Sequence, residues 1–144
     1  MAETRGATRA RLARDHYSYL HLPMVAGIVL LAVGLESAVA HLGAPLAPVP
    51  AAALCAGLSL YFLAHVAMRV RLVALAPRGT PGRPGWIGPG RLAAAAGTLA
   101  VLPAALALPA VATLAHIAAL CWALIAWDVL HYRAHRSQVR RARP

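Results

Sequence analysis

From Leu92 to Tyr132 the chain is apolar throughout, with Asp128 as its one acid and with no arginine or lysine. A helix needs about 20 apolar residues to cross the ~30 Å hydrocarbon core of a bilayer. The run is about twice that length, so it has to fold back once. Leu108-Pro109-Ala110 is the expected turn, because the residue before a proline is pushed out of helical conformation. Pro103 falls inside the third helix and is expected to kink it. Two shorter apolar runs precede this one, Leu20 to Leu42 and Pro50 to Met68. Gly43 to Pro50 between them carries no charge and reads as a tight turn. Pro50 suits the first turn of the second helix. The expected fold is therefore all-α: a polytopic membrane protein with four transmembrane helices at about 20–42, 50–68, 92–108 and 110–132. These form one domain over 18–132, between a basic arm (1–17) and a basic tail (133–144). Composition agrees. Only 12% of residues are charged, against about 25% in soluble domains, too few to keep a surface of this size solvated.

The charges that exist fix an orientation. All 14 basic residues are arginine, against four acids, Glu3, Asp15, Glu36 and Asp128. Four arginines lie in the N-terminal arm, five between Arg69 and Arg91, and five from Arg133 onward. Four spans put all of them on one side, and that bias marks the cytoplasmic face. Both termini are thus expected in the cytoplasm, with the chain in a bacterial inner membrane. The arm has no apolar stripe and is expected to lack regular structure or to lie on the membrane surface. Pro77 to Gly85 cannot be helical, because proline and glycine recur every few residues. Trp86 follows where an interfacial aromatic belongs. Arginines clustered between apolar runs speak for a lipid bilayer as partner and not for nucleic acid. Any further partner is expected to be a second copy or another membrane chain. A basic arm, an apolar stretch and then Ala38-Val39-Ala40 is also the layout of a cleavable signal; the long arm favours a retained span.

Ionisable groups inside a bilayer cost roughly 2.5–3.5 kcal/mol at its centre and are functional candidates by default. Glu36 follows Leu20, and His116 precedes Tyr132, by the same number of residues. At about 1.5 Å per residue both stand about 24 Å from the inner surface, so they are a candidate Glu–His pair. A second candidate cluster lies at the inner end, formed by His21, Tyr61, His65, Arg69, Asp128 and His131. Tyr61, His65 and Arg69 recur every fourth residue and make one stripe; Asp128 and His131 are three apart and can pair along their helix. On the first helix, His21, Val25, Val29, Ala32, Glu36 and Ala40 share a side that is expected to face into the protein. The plain alternative for these groups is that they reach water or headgroups at the interface.

Seven histidines raise a membrane haem or electron carrier as one alternative function. Against it, His65 and His116 stand at different heights, and His21 and His65 lack a supporting pattern. No cofactor or metal is expected. HExxH, paired CxxC, P-loop and GxSxG motifs are absent from the sequence, so no enzymatic activity is expected. Cys55 and Cys121 read as small apolar side chains.

The segment from Asp15 to Glu36 carries Tyr17-Ser18-Tyr19-Leu20-His21-Leu22-Pro23, then Val25-Ala26-Gly27 and Ala32-Val33-Gly34-Leu35-Glu36. It resembles the bacterial low temperature requirement A protein family, and the region Tyr61 to Arg69 with its arginine-rich loop resembles that family's next helix. The resemblance covers roughly Arg14 to Trp127 and is similar only in hydropathy after the second helix. Members are usually longer, with helices before this region, so the chain looks like the C-terminal part of one. It implies a polytopic inner-membrane protein, with Tyr17, Tyr19, His21 and Glu36 as characteristic positions, and supplies no catalytic residues. The function expected is structural or transport-related; a small proton-coupled four-helix transporter using Glu36 is the other alternative.

Overall fold

The structure, a computed structural model, describes the backbone of residues 2–75 and 88–141 and the side chains of 19–71, 73 and 89–130. Five helices follow in order: α1 (Ala2–Ala40), α2 (Pro48–Leu75), α3 (Gly88–Ala100), α4 (Leu102–Ala107) and α5 (Ala110–Arg141). Together they supply four apolar spans, Tyr19–Ala40, Pro48–Arg71, Pro89–Ala107 and Ala110–Leu130, with mean hydropathy 2.1, 1.8, 1.5 and 1.9. The third is the least apolar and the only one of the four built from two helices. Its break at Val101 lies two residues before Pro103, which has no N–H for the Leu99 carbonyl. Leu108 leaves α4 in extended backbone, φ −101° and ψ 155°, as the residue ahead of Pro109 should. The expected turn at Leu108-Pro109-Ala110 is where α5 begins.

The basic arm departs from expectation. It is helical from Ala2 and continuous with the first span; the alanine and arginine in it are good helix formers, and a folded span supplies a nucleus from which to extend. The stretch Pro77–Gly85 and Trp86 lie outside the described residues.

Burial runs opposite to that of a soluble bundle. The buried set is dominated by small side chains, Ala38, Ala51, Ala64, Ala94, Ala95, Ala105 and Ala110, with Ser59, Thr98 and Thr113. Large ones such as Leu22, Val25, Trp122 and Leu130 face outward. Lipid tails are as apolar as leucine, so bulk gains nothing from pointing inward. Small residues let backbones meet. The tightest seam joins α1 to α2. A Cβ added at Gly34 would sit 2.5 Å from Leu54 N, and one at Gly27 would sit 2.7 Å from Gly57 O. The expected inward side of α1 is thereby corrected: Gly27, Gly34 and Ala38 are buried, whereas His21, Val25, Val29, Ala32, Glu36 and Ala40 are all exposed. Glu36 comes two positions after Gly34, on the opposite side of the helix; it points away from α2.

Helix α3 packs on α2, where the buried Ser59 hydroxyl donates to the Ala95 carbonyl at 3.1 Å. Helix α5 packs on α3. At one end of the bundle the two inter-helix turns are joined by backbone hydrogen bonds: Leu46 N–H to Ala105 O (3.2 Å), Ala110 N–H to Ala44 O (2.9 Å) and Val111 N–H to Leu42 O (3.1 Å). We call this the clasped end. The opposite end, where α2 finishes and α3 starts, carries Arg69, Arg71 and Arg91 and is called the arginine end.

Candidate functional site

At the arginine end three helices bring polar groups together. On α2, the four-residue spacing stacks the Tyr61 and His65 rings, with centroids 6.3 Å apart and planes at 24°; Phe62 meets Tyr61 edge-on at 5.8 Å. Arg69 lies one turn further along. On α3, Gly90 leaves room for α5: a Cβ there would find Leu124 Cδ1 at 3.3 Å and Trp127 Cδ1 at 3.5 Å. That close approach lets the neighbouring Arg91 cross to α5, where its guanidinium donates to Asp128 Oδ2 at 2.8 Å. Arg91 is 15% exposed and Asp128 40%. His65 lies within electrostatic range of Arg91, Arg69 and Asp128, and its buried Nδ1 has no hydrogen-bond partner. A guanidinium, a carboxylate and an imidazole with an open nitrogen thus meet near a membrane boundary. Such a set can take up, hold and pass a proton or neutralise an ion.

The structure joins Tyr61, His65, Arg69 and Asp128 of the expected inner cluster and adds Arg91. The expected Asp128–His131 pairing gives way to the bond with Arg91; the His131 side chain lies outside the described residues. His21 is on the exposed side of α1 and is not among the groups acting on His65. Glu36 and His116 are not brought together. Glu36 faces outward from α1, and His116 is exposed on α5, where its Nδ1–H donates to the Ala112 carbonyl at 2.7 Å. Sequence reasoning misses Arg91 because it reads as the last loop arginine. The signal is in its position: it opens the third apolar run, as Asp128 nears the close of the fourth, so both stand at one height. No three histidine, cysteine or acidic side chains converge among the described residues.

The family model of the bacterial low temperature requirement A proteins (LtrA) matches residues 1–126. The chain belongs to this family. The LtrA match takes in the basic arm, which the resemblance seen in the sequence left out. It also contains Tyr61, His65, Arg69 and Arg91, while Asp128 lies two residues past its end. No curated protein and no solved structure matches the chain. What the LtrA membership adds to the geometry is therefore a family of bacterial proteins, whose name records a growth requirement.

Proposed function

We propose that this LtrA-family chain is a non-enzymatic, transport-related protein of the bacterial inner membrane, with both termini in the cytoplasm and its working groups at the arginine end. One observation carries the functional part: the Arg91–Asp128 ion pair, joining α3 to α5 beside a histidine whose buried nitrogen is unpartnered. A partly buried pair of this kind is a poor way to gain stability, since desolvation offsets much of the attraction. Ionisable groups kept at membrane depth mark ion pathways and proton relays. Asp128 is 40% exposed and so reaches solvent, while His65 lies deeper along α2. A proton arriving at the carboxylate has the imidazole as its next acceptor. The site, not Glu36, is assigned this work, because Glu36 faces away from the bundle. The orientation is supported by the arginine count and by a fold that gathers the starts of α1 and α3 and the ends of α2 and α5 at one end.

The test is proton uptake by proteoliposomes loaded with a pH-sensitive dye and driven by a potassium diffusion potential. Uptake above that of protein-free vesicles, lost in both Asp128→Asn and His65→Gln, is expected. Wild-type uptake no faster than the vesicle leak overturns the reading, as does uptake that survives both substitutions.

A further inference from the structure

The charges at the arginine end do not balance. The described side chains there include three guanidinium groups, Arg69, Arg71 and Arg91, and one carboxylate, Asp128. Asp128 is committed to Arg91 at 2.8 Å. Arg69 is half-buried and Arg71 exposed, and neither has an acidic partner among the described residues. A half-buried cation without a counter-charge loses hydration and gains nothing in return. An anion is the natural complement, and the planar arginine fork matches the oxygens of a phosphate. Arg69 and Arg71 are the last arginines of the second span, Pro48–Arg71, the level at which acyl chains give way to headgroups. Apolar surface lies beside them. Val70 is 59% exposed and Trp127, next to Asp128 on α5, is 48% exposed. An acyl chain and a headgroup can use that surface; a free phosphate cannot.

We propose that Arg69 and Arg71 bind the phosphate of an anionic phospholipid headgroup at the arginine end, with Val70 and Trp127 bordering the lipid. The Arg91–Asp128 pair sets the limit of this site by keeping Arg91 out of it. In the proposed orientation the lipid belongs to the cytoplasmic leaflet. The site does not depend on whether the chain moves protons.

The experiment uses the full chain in nanodiscs of phosphatidylcholine and phosphatidylglycerol, with the lipids retained by the protein counted by native mass spectrometry. Wild type should retain phosphatidylglycerol above its share of the bilayer. Arg69→Gln should lower that enrichment about fivefold, the effect of about one basic residue near an anionic surface, and Arg71→Gln should lower it too. Asp128→Asn frees Arg91 and should raise the enrichment, a change of opposite sign that loss of fold cannot imitate. If Arg69→Gln does not fold, Arg69→Lys replaces it, keeping charge but not the fork, and should lower retention by less than Arg71→Gln. Retention of the two lipids in their bulk ratio overturns the proposal. So does unchanged enrichment in the arginine variants, and so does displacement of the lipid by millimolar inorganic phosphate, which would identify a free-anion site.

Discussion

Gly34→Ala should separate α1 from α2. Its new Cβ would stand 2.5 Å from Leu54 N, 2.6 Å from Leu54 Cβ and 2.7 Å from Leu54 Cα. Two of these three atoms are backbone and cannot swing away. Ordinary contact begins at 3.4 Å, so the helices have to part by about 0.9 Å, within the range over which dispersion contacts fade. A gap of that size forfeits a quarter to a half of each dispersion contact of about 0.1–0.2 kcal/mol, and a seam of roughly 50–100 atom pairs then loses about 3 kcal/mol. Replacing glycine inside a helix returns about 0.5–1 kcal/mol. The net loss is about 2 kcal/mol, in the range typical of overpacking. Unfolding in mixed micelles titrated with sodium dodecyl sulfate, followed by circular dichroism, reads the change as a lower midpoint. Two controls fix the interpretation. A Cβ at Gly97 would meet only the tips of Leu120, at 3.5 and 3.6 Å, and one at Gly43 would meet nothing within 4 Å. Gly97→Ala should be neutral or stabilising and Gly43→Ala neutral. A wild-type midpoint for Gly34→Ala, or an equal loss in Gly97→Ala, refutes the close-contact argument.

Thr113 Oγ1 is buried without a hydrogen-bond partner, so Thr113→Val should leave the same unfolding midpoint unchanged or raise it by up to about 1 kcal/mol. Ser59→Ala removes the bond from α2 to the Ala95 carbonyl, which also accepts from Thr98 Oγ1 at 2.9 Å; the loss should be about 0.6 kcal/mol, the average for membrane interhelical bonds, by the same titration. Arg91→Asp and Asp128→Arg should each destabilise the contact of α3 with α5, and the double exchange should recover most of the loss, as a mutant cycle on unfolding midpoints will show. Reporter fusions at residues 46 and 82 and at the C-terminus should place residue 46 outside and the other two inside; a C-terminus outside removes the four-span topology.

Hydropathy made the spans legible, because the bilayer demands length and apolarity and little else. The four runs match the helical spans to within about three residues at each end, and Pro103 and Pro109 marked the break and the turn. What could not be read was which side of each helix meets its neighbour. In water the apolar side is the buried one; in lipid both sides are apolar, and the decision falls to size. Val25, Val29 and Ala32 formed a convincing stripe with Glu36, yet Gly27, Gly34 and Ala38 took the contact because only small residues permit it. The inner cluster was half legible for a similar reason. Tyr61, His65 and Arg69 share one helix, so spacing alone unites them. Asp128 had two candidate cations, and choosing Arg91 over His131 required knowing that Gly90 draws α3 against α5.

The three backbone hydrogen bonds of the clasped end also order the biogenesis of the molecule. Each runs between the residue 42–46 turn and residues 105–111, and none can form while only the first two spans have been threaded into the bilayer. The α1–α2 hairpin is already sealed by its glycine seam and can wait as a finished unit. Arrival of the second hairpin is then registered on the far side of the membrane from the arginine-rich loop, by backbone groups that no side-chain substitution removes.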